Sequence, residues 1–176
     1  MIYSTVCLIA DFSQIQKNII ESHKLNQIAY LDFLTGLPNR NGCDVIISKY
    51  SDQTDVASFG CALIELPTID EINLSYGRLF GDKYINDFAR IFDPIGSKYG
   101  FVGRNSGNEF LLIIENCPYE KMHQFSTELN SSIDAYNEKH KDPVMTIKLN
   151  YILNEQEGLK NFLSIISTLY SRERSE

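Results

Sequence analysis

Tryptophan is absent from the 176 residues, and cysteine, histidine and proline number only four, three and five. Cys7, Cys43, Cys61 and Cys117 are widely and irregularly spaced and form no CxxC pair. That pattern excludes a disulfide-stapled scaffold and a structural zinc site, and leaves reduced thiols in a cytosolic protein as the simple reading. His23, His123 and His140 are scattered and read as surface or boundary residues, without partners at ligand spacing. Basic charge is short as well: 16 Lys and Arg stand against 23 Asp and Glu, a formal charge of −7. A nucleic-acid binder needs a basic face, so no nucleic-acid partner is expected. A nucleotide site stays open, because a divalent metal can bridge acidic side chains to phosphate. No apolar run approaches the ~18–20 residues of a membrane span. Residues Met1 to Ala10 lack the basic start and cleavage pattern of a secretory leader. The expected location is the cytoplasm, as the cytoplasmic part of a larger sensor if a membrane segment precedes this chain in a longer parent.

What is present suffices for a core. Hydrophobic residues make up 43% of the chain, which excludes wholesale disorder. The length fits one domain with a short appendage. Tyr3 to Ile9 reads as a strand, and Ser13 with Gln16 makes a capping box for a helix reaching about Ala29. Ile15, Ile19, Ile20, Leu25 and Ile28 give that helix a loose apolar stripe, suited to pairing with a second copy. Asn41 is placed to cap a helix ending near Tyr50. A buried strand follows within Ala57 to Leu66, and Thr68 with Glu71 makes a second capping box. Asp82 is placed to cap the next helix, whose face is Ile85, Phe88, Ala89 and Phe92. Phe101 to Arg104 and Glu109 to Ile114 read as strands joined by the turn Asn105-Ser106-Gly107-Asn108. A long helix after Pro118 carries Met122, Phe125, Leu129, Ile133 and Tyr136 on one face. Period-two alternation over Met145 to Leu153 marks another strand. Leu159, Phe162, Leu163, Ile166 and Leu169 build a last helix. The order predicts an α+β sandwich with helices packed on an antiparallel or mixed sheet.

Three segments carry a resemblance to a known family. Asp32-Phe33-Leu34-Thr35-Gly36-Leu37-Pro38-Asn39-Arg40 resembles the DxLTGLPNR segment that opens GGDEF domains. Asn73, Tyr76-Gly77 and Gly81-Asp82 resemble the family's guanine-reading helix pair. Ser106-Gly107-Asn108-Glu109-Phe110 resembles the signature hairpin, in place of Gly-Gly-Asp/Glu-Glu-Phe. Order and spacing agree over about residues 30–172. The resemblance implies a GGDEF, nucleotidyl-cyclase-like fold with a central five-stranded sheet flanked by helices. It implies the diguanylate cyclase reaction, in which two GTP-loaded domains meet and form cyclic di-GMP with Mg²⁺ or Mn²⁺ as cofactor. The strand, the Asp11-Phe12-Ser13 turn and the helix that follows look like the exit of a PAS sensor. The chain then divides into a sensor-exit strand and turn (1–12), a signalling helix (13–29) and a GGDEF domain (30–176).

Position by position, the resemblance places metal carboxylates at Glu65 and Glu109 and the catalytic signature at Asn108 and Glu109. Glu65 is one methylene longer than the family's Asp, and the second metal Asp aligns with Pro67, which offers no ligand. Asn108 stands where active members carry an acid; its neutral amide cannot serve as a base at pH 7. Ser106 replaces a glycine that lets phosphate approach the backbone, while Gly107 is kept. The nucleotide-binding set is Asn73, Asp82 and Gly107. Asp70 reverses the charge of a phosphate-clamping Lys, and Glu173 stands where the C-terminal ALYxAK pattern has Lys. The family's inhibitory RxxD positions fall on Ser97 and Gly100. The favoured reading is a degenerate GGDEF domain, weak or inactive in synthesis, acting as a regulatory or dimerisation module. Its partners would be weakly bound GTP, a second copy through the N-terminal helix, and an unidentified signalling protein. The alternative is an active diguanylate cyclase with an atypical metal site.

Overall fold

The computed structural model describes residue 21 and residues 28–173. The expected strand Tyr3–Ile9, the Asp11-Phe12-Ser13 turn and most of the N-terminal helix lie outside the described residues. Elements follow in the order α1 (Arg40–Ser51), β1 (Gly60–Glu65), α2 (Ile69–Tyr76), α3 (Arg78–Gly96), β2 (Phe101–Arg104), β3 (Glu109–Ile114), α4 (Tyr119–Lys139), β4 (Lys148–Leu153), α5 (Asn154–Glu157) and α6 (Phe162–Glu173). The strands form one antiparallel sheet in the order β2-β3-β1-β4. Among the described residues no helix is long and apolar enough to cross a membrane.

The expected five strands are corrected to four among the described residues. β4 ends at Leu153, and the Asn154 side chain ties the turn that follows to neighbouring loops. The Asn154 amide donates to the Val56 and Leu159 carbonyls at 2.9 and 2.8 Å and accepts from Leu159 N at 2.8 Å. That clasp closes α5, which ends on Gly158 at φ 67°, a left-handed turn that glycine adopts without cost.

Period-two alternation puts each strand's side chains into two cores. Ala62, Ile64, Phe110, Leu112 and Ile114 pack against Phe88 and Phe92 of α3 and Phe125 and Leu129 of α4. Cys61, Leu63, Leu111 and Ile113 pack against Cys43 and Ile47 of α1 and Phe162, Ile165 and Leu169 of α6. Cys43, Cys61 and Cys117 are buried free thiols. Burial pushes Cys43 up to about 12 and Cys117 up to about 11, and raises Cys61 as well. All three therefore stay uncharged and unreactive at neutral pH.

Four local expectations are corrected. Asn39, not Asn41, caps α1: its Oδ1 accepts from Gly42 N at 3.0 Å. Thr68 sits at the N-cap of α2 without a side-chain cap bond. Its hydroxyl lies 3.4 Å from the hydroxyls of both Tyr84 and Thr146, so tertiary partners outcompete the local one. Asp82 lies inside α3, whose N-cap is Gly77 at φ 85°. β4 starts only at Lys148, because the Asn137 side chain brackets Met145 (N–H at 2.7 Å, carbonyl at 2.9 Å).

Candidate functional site

The segment that opens the domain is a clasp between the incoming chain and the signature hairpin. Gly36, at φ 76°, turns the loop back so that Asp32 N donates to the Leu37 carbonyl at 2.7 Å. Asn39 Nδ2 donates to the Ala29 and Leu31 carbonyls, both at 3.1 Å, which fixes the end of the helical stretch at 28–30. Arg104, last residue of β2, pairs with Asp32 Oδ1 at 2.9 Å and sends its other guanidinium nitrogens to the Gly107 carbonyl at 2.5 and 3.2 Å. Burial alone would raise the Asp32 carboxyl, but Arg104 and the Thr35 hydroxyl and amide hold it below its ordinary value.

A lowered carboxylate contributes stability above its unfolded pKa and loses it as pH falls through the folded one. Asp32→Asn is therefore expected to cost roughly 1.5–3 kcal/mol at pH 7. The deficit relative to the parent should shrink as pH falls below 3.8, the ordinary value of an aspartate. Urea unfolding of both proteins across that range measures it.

The hairpin tip, residues 105–108, sits where it was expected, between β2 and β3. Register sets Glu65 of β1 directly opposite Glu109 of β3 on one side and Lys148 of β4 on the other. Both carboxylates already have protein partners. Asn108 Nδ2 donates to Glu65 Oε1 at 3.3 Å and to the Leu66 carbonyl at 3.2 Å, while Leu66 N donates to the Asn108 carbonyl at 2.9 Å. Glu109 Oε2 accepts from Asn105 Nδ2 at 3.1 Å, and Asn105 Oδ1 accepts from the Tyr170 hydroxyl at 2.9 Å. Burial pushes Tyr170 up to about 12, so it remains a donor. Asn105 and Tyr170 were not singled out from sequence. The signal was there: a polar residue just before the signature, and the Tyr of the C-terminal ALYxAK-like stretch.

Mg²⁺ and Mn²⁺ want convergent oxygen donors, most of them anionic. Here the amide nitrogen of Asn108 faces Glu65, Pro67 brings no donor and Glu109 is tied to Asn105. Among the described residues no three His, Cys, Asp or Glu side chains converge to hold a metal ion. The donor set does not fit a two-ion centre.

Asn73 of α2 packs on Gly81 of α3, the residue before Asp82: a Cβ at Gly81 would lie 2.0 Å from Asn73 Oδ1. Asp82 is exposed one residue further on. No hydrogen bond among the described residues occupies either side chain, so both are available to an external ligand. The phosphate side is different. Asp70 is exposed in the first turn of α2. Arg172, one residue before the position of the expected C-terminal Lys, pairs with Glu157 at 2.9 Å. Ser106 and Gly107 are exposed at the hairpin tip. Ser97 bonds Asp93 at 2.8 Å, and a side chain at Gly100 would strike the Ile113 carbonyl oxygen at 2.0 Å. His123 and His140 are exposed and stack on Tyr119 and Tyr136.

The profile described as diguanylate cyclase, GGDEF domain matches residues 29–167. The cyclic di-GMP phosphodiesterase PdeR of Escherichia coli K12 is 28% identical over 111 residues, covering 63% of this chain and 17% of that protein. A diguanylate cyclase of Vibrio cholerae is 29% identical over 99 residues, covering 55% of this chain and 31% of that one. The chain thus spans under a third of either relative. Among solved structures, the coiled coil and GGDEF domain of DgcB from Caulobacter crescentus, in complex with c-di-GMP, aligns with a TM-score of 0.77 at 16% identity. That alignment covers 96% of this chain and 93% of the other.

Proposed function

The chain belongs to the diguanylate cyclase, GGDEF domain family, and from that premise we propose that it is a regulatory module of cyclic di-GMP signalling that no longer carries out ordinary synthesis. The observation that carries this reading is the Asn108 amide bonded to Glu65 and to the Leu66 carbonyl. An uncharged donor occupies the place where synthesis calls for an acid and a cation, and it closes the end of the sheet without either. Asp70, Ser106, Pro67 and the diversion of Arg172 to Glu157 support the same reading on the phosphate side. Residues 30–176 form the module, residues 13–29 the signalling helix through which two copies pair, and residues 1–12 a sensor exit. A further signalling protein is the expected recipient of the output.

Guanine nucleotide binds weakly in this reading, through the base. The Asp82 carboxylate accepts from the ring N–H and exocyclic amine, and Asn73 complements the other edge. Loss of a charged hydrogen bond costs roughly 1.5–3 kcal/mol, so Asp82→Ala should weaken GTP binding about tenfold to a hundredfold. Gly81→Ala should do the same by displacing Asn73. Calorimetric titration with GTP measures both, and tight binding untouched by Asp82→Ala would put the nucleotide elsewhere.

The deciding experiment is incubation of the protein at high concentration with GTP and Mg²⁺ or Mn²⁺, with the product read by mass spectrometry. No cyclic di-GMP is expected. Robust production would overturn this reading in favour of an active cyclase with an atypical metal site.

A further inference from the structure

A cleft of about 330 Å³ opens between α3 and the C-terminal end of α4, apart from both the signature hairpin and Asn73. Its volume is at the lower end of the range of small-molecule sites. Lys83, Lys139 and Lys141 line it, a local concentration of positive charge on a chain whose net charge is −7. Each of the two acids of the cleft accepts a hydrogen bond from a protein side chain. Asp87 accepts from Lys83 at 2.5 Å and from the Tyr136 hydroxyl at 2.8 Å. Asp142 accepts from the Tyr76 hydroxyl at 2.7 Å. Lys139 and Lys141 have no ion pair or hydrogen bond among the described residues. Lys139 also answers the negative end of the α4 dipole. Lys141, two residues past the helix, has no such duty.

Part of the lining is aromatic. Tyr136 and His140 stack with ring centroids 4.2 Å apart and planes 18° from parallel. His140 Nδ1 lies 3.0 Å from the Tyr136 carbonyl, which can only accept, so Nδ1 carries the proton and the ring is held in place. A fixed, exposed ring beside two uncommitted ammonium groups suits a ligand with a flat π-face and an anionic end.

We propose that this cleft binds a small ligand that joins an aromatic ring to a phosphate, of about mononucleotide size. Lys139 and Lys141 hold the phosphate, and the ring lies on the Tyr136–His140 stack. The site is separate from the base-reading pair Asn73 and Asp82, and it does not depend on whether that pair binds guanine.

Adenosine 5′-monophosphate is the probe, because it lacks the donor edge that Asp82 would read. Titration of the ¹⁵N-labelled protein is expected to shift the amide resonances of Lys83, Tyr136, His140 and Lys141. Lys139→Ala with Lys141→Ala should weaken binding about tenfold or more. Both lysines are exposed, so the double variant should keep its spectrum elsewhere. Adenosine alone and inorganic phosphate alone should each bind more weakly than the joined molecule. The proposal is overturned by unchanged affinity in the double variant, by adenosine binding as well as its monophosphate, by no shift at the cleft, or by shifts confined to Asn73, Gly81 and Asp82.

Discussion

Asn108→Asp alone is expected to leave cyclic di-GMP synthesis below detection, whereas Glu65→Asp, Asp70→Lys, Ser106→Gly and Asn108→Asp together should raise it to a measurable rate. The reason lies in how the site is wired. Asn108 now donates to Glu65 Oε1 at 3.3 Å and to the Leu66 carbonyl at 3.2 Å. An Asp in its place turns both donor contacts into repulsions. The single variant therefore gains an acid but no phosphate clamp, and Ser106 still stands where phosphate must approach the backbone. Each missing electrostatic contact of this kind is worth on the order of 10²–10³ in rate. Such losses are not additive when groups act as a unit, so the gain should come only from the combination. The single variant has a second signature: its melting temperature should be lower in EDTA than with Mg²⁺, since a cation can relieve the new carboxylate pair. Mass spectrometry of product and a melting curve with and without Mg²⁺ test both. Synthesis restored by Asn108→Asp alone would show that the phosphate contacts were never deficient.

Phe110→Ala is expected to produce the largest loss of stability of any substitution in the signature, about 3–5 kcal/mol. Phe110 is fully buried on β3. Its ring meets Phe88 edge-on at 4.7 Å and Phe92 at 5.8 Å, so one truncation opens a void between the sheet and α3. Phe33 is the matched control, an aromatic of the domain-opening segment that is 85% exposed. Phe33→Ala should stay within about 0.5 kcal/mol of the parent. Urea midpoints of the two variants decide it. Equal losses would mean that the ring at position 110 does not bridge sheet and helix as described.

Much of this arrangement is readable in the chain, for local reasons. Asn105-Ser106-Gly107-Asn108 between two apolar runs specifies a hairpin. Alternation in β1 and β3 then places Glu65 and Glu109 on one face of the sheet, and the resemblance picks them out. What escaped the sequence was settled by partners far along the chain. Thr68 looks like half of a capping box until Tyr84 and Thr146 claim its hydroxyl. Asn41 looks like a cap until Asn39 is seen to reach both Gly42 and the chain arriving at Ala29. Asn108 looks like an ordinary turn residue; that its amide satisfies a carboxylate 43 positions earlier depends on strand register, which no local pattern encodes. The fifth strand was expected from the period switches and the resemblance together, and the described residues form four.

Gly100 limits what can be built at this position as well as how it packs. The backbone of Ile113 lies against it so closely that any side chain at that position would overlap the carbonyl oxygen. An acid there would require the backbone next to the Phe101–Ile113 pair to open. The neighbouring Ser97 donates to Asp93. Installing an arginine and an acid at positions 97 and 100 would therefore mean rebuilding the start of β2, beyond a two-residue exchange.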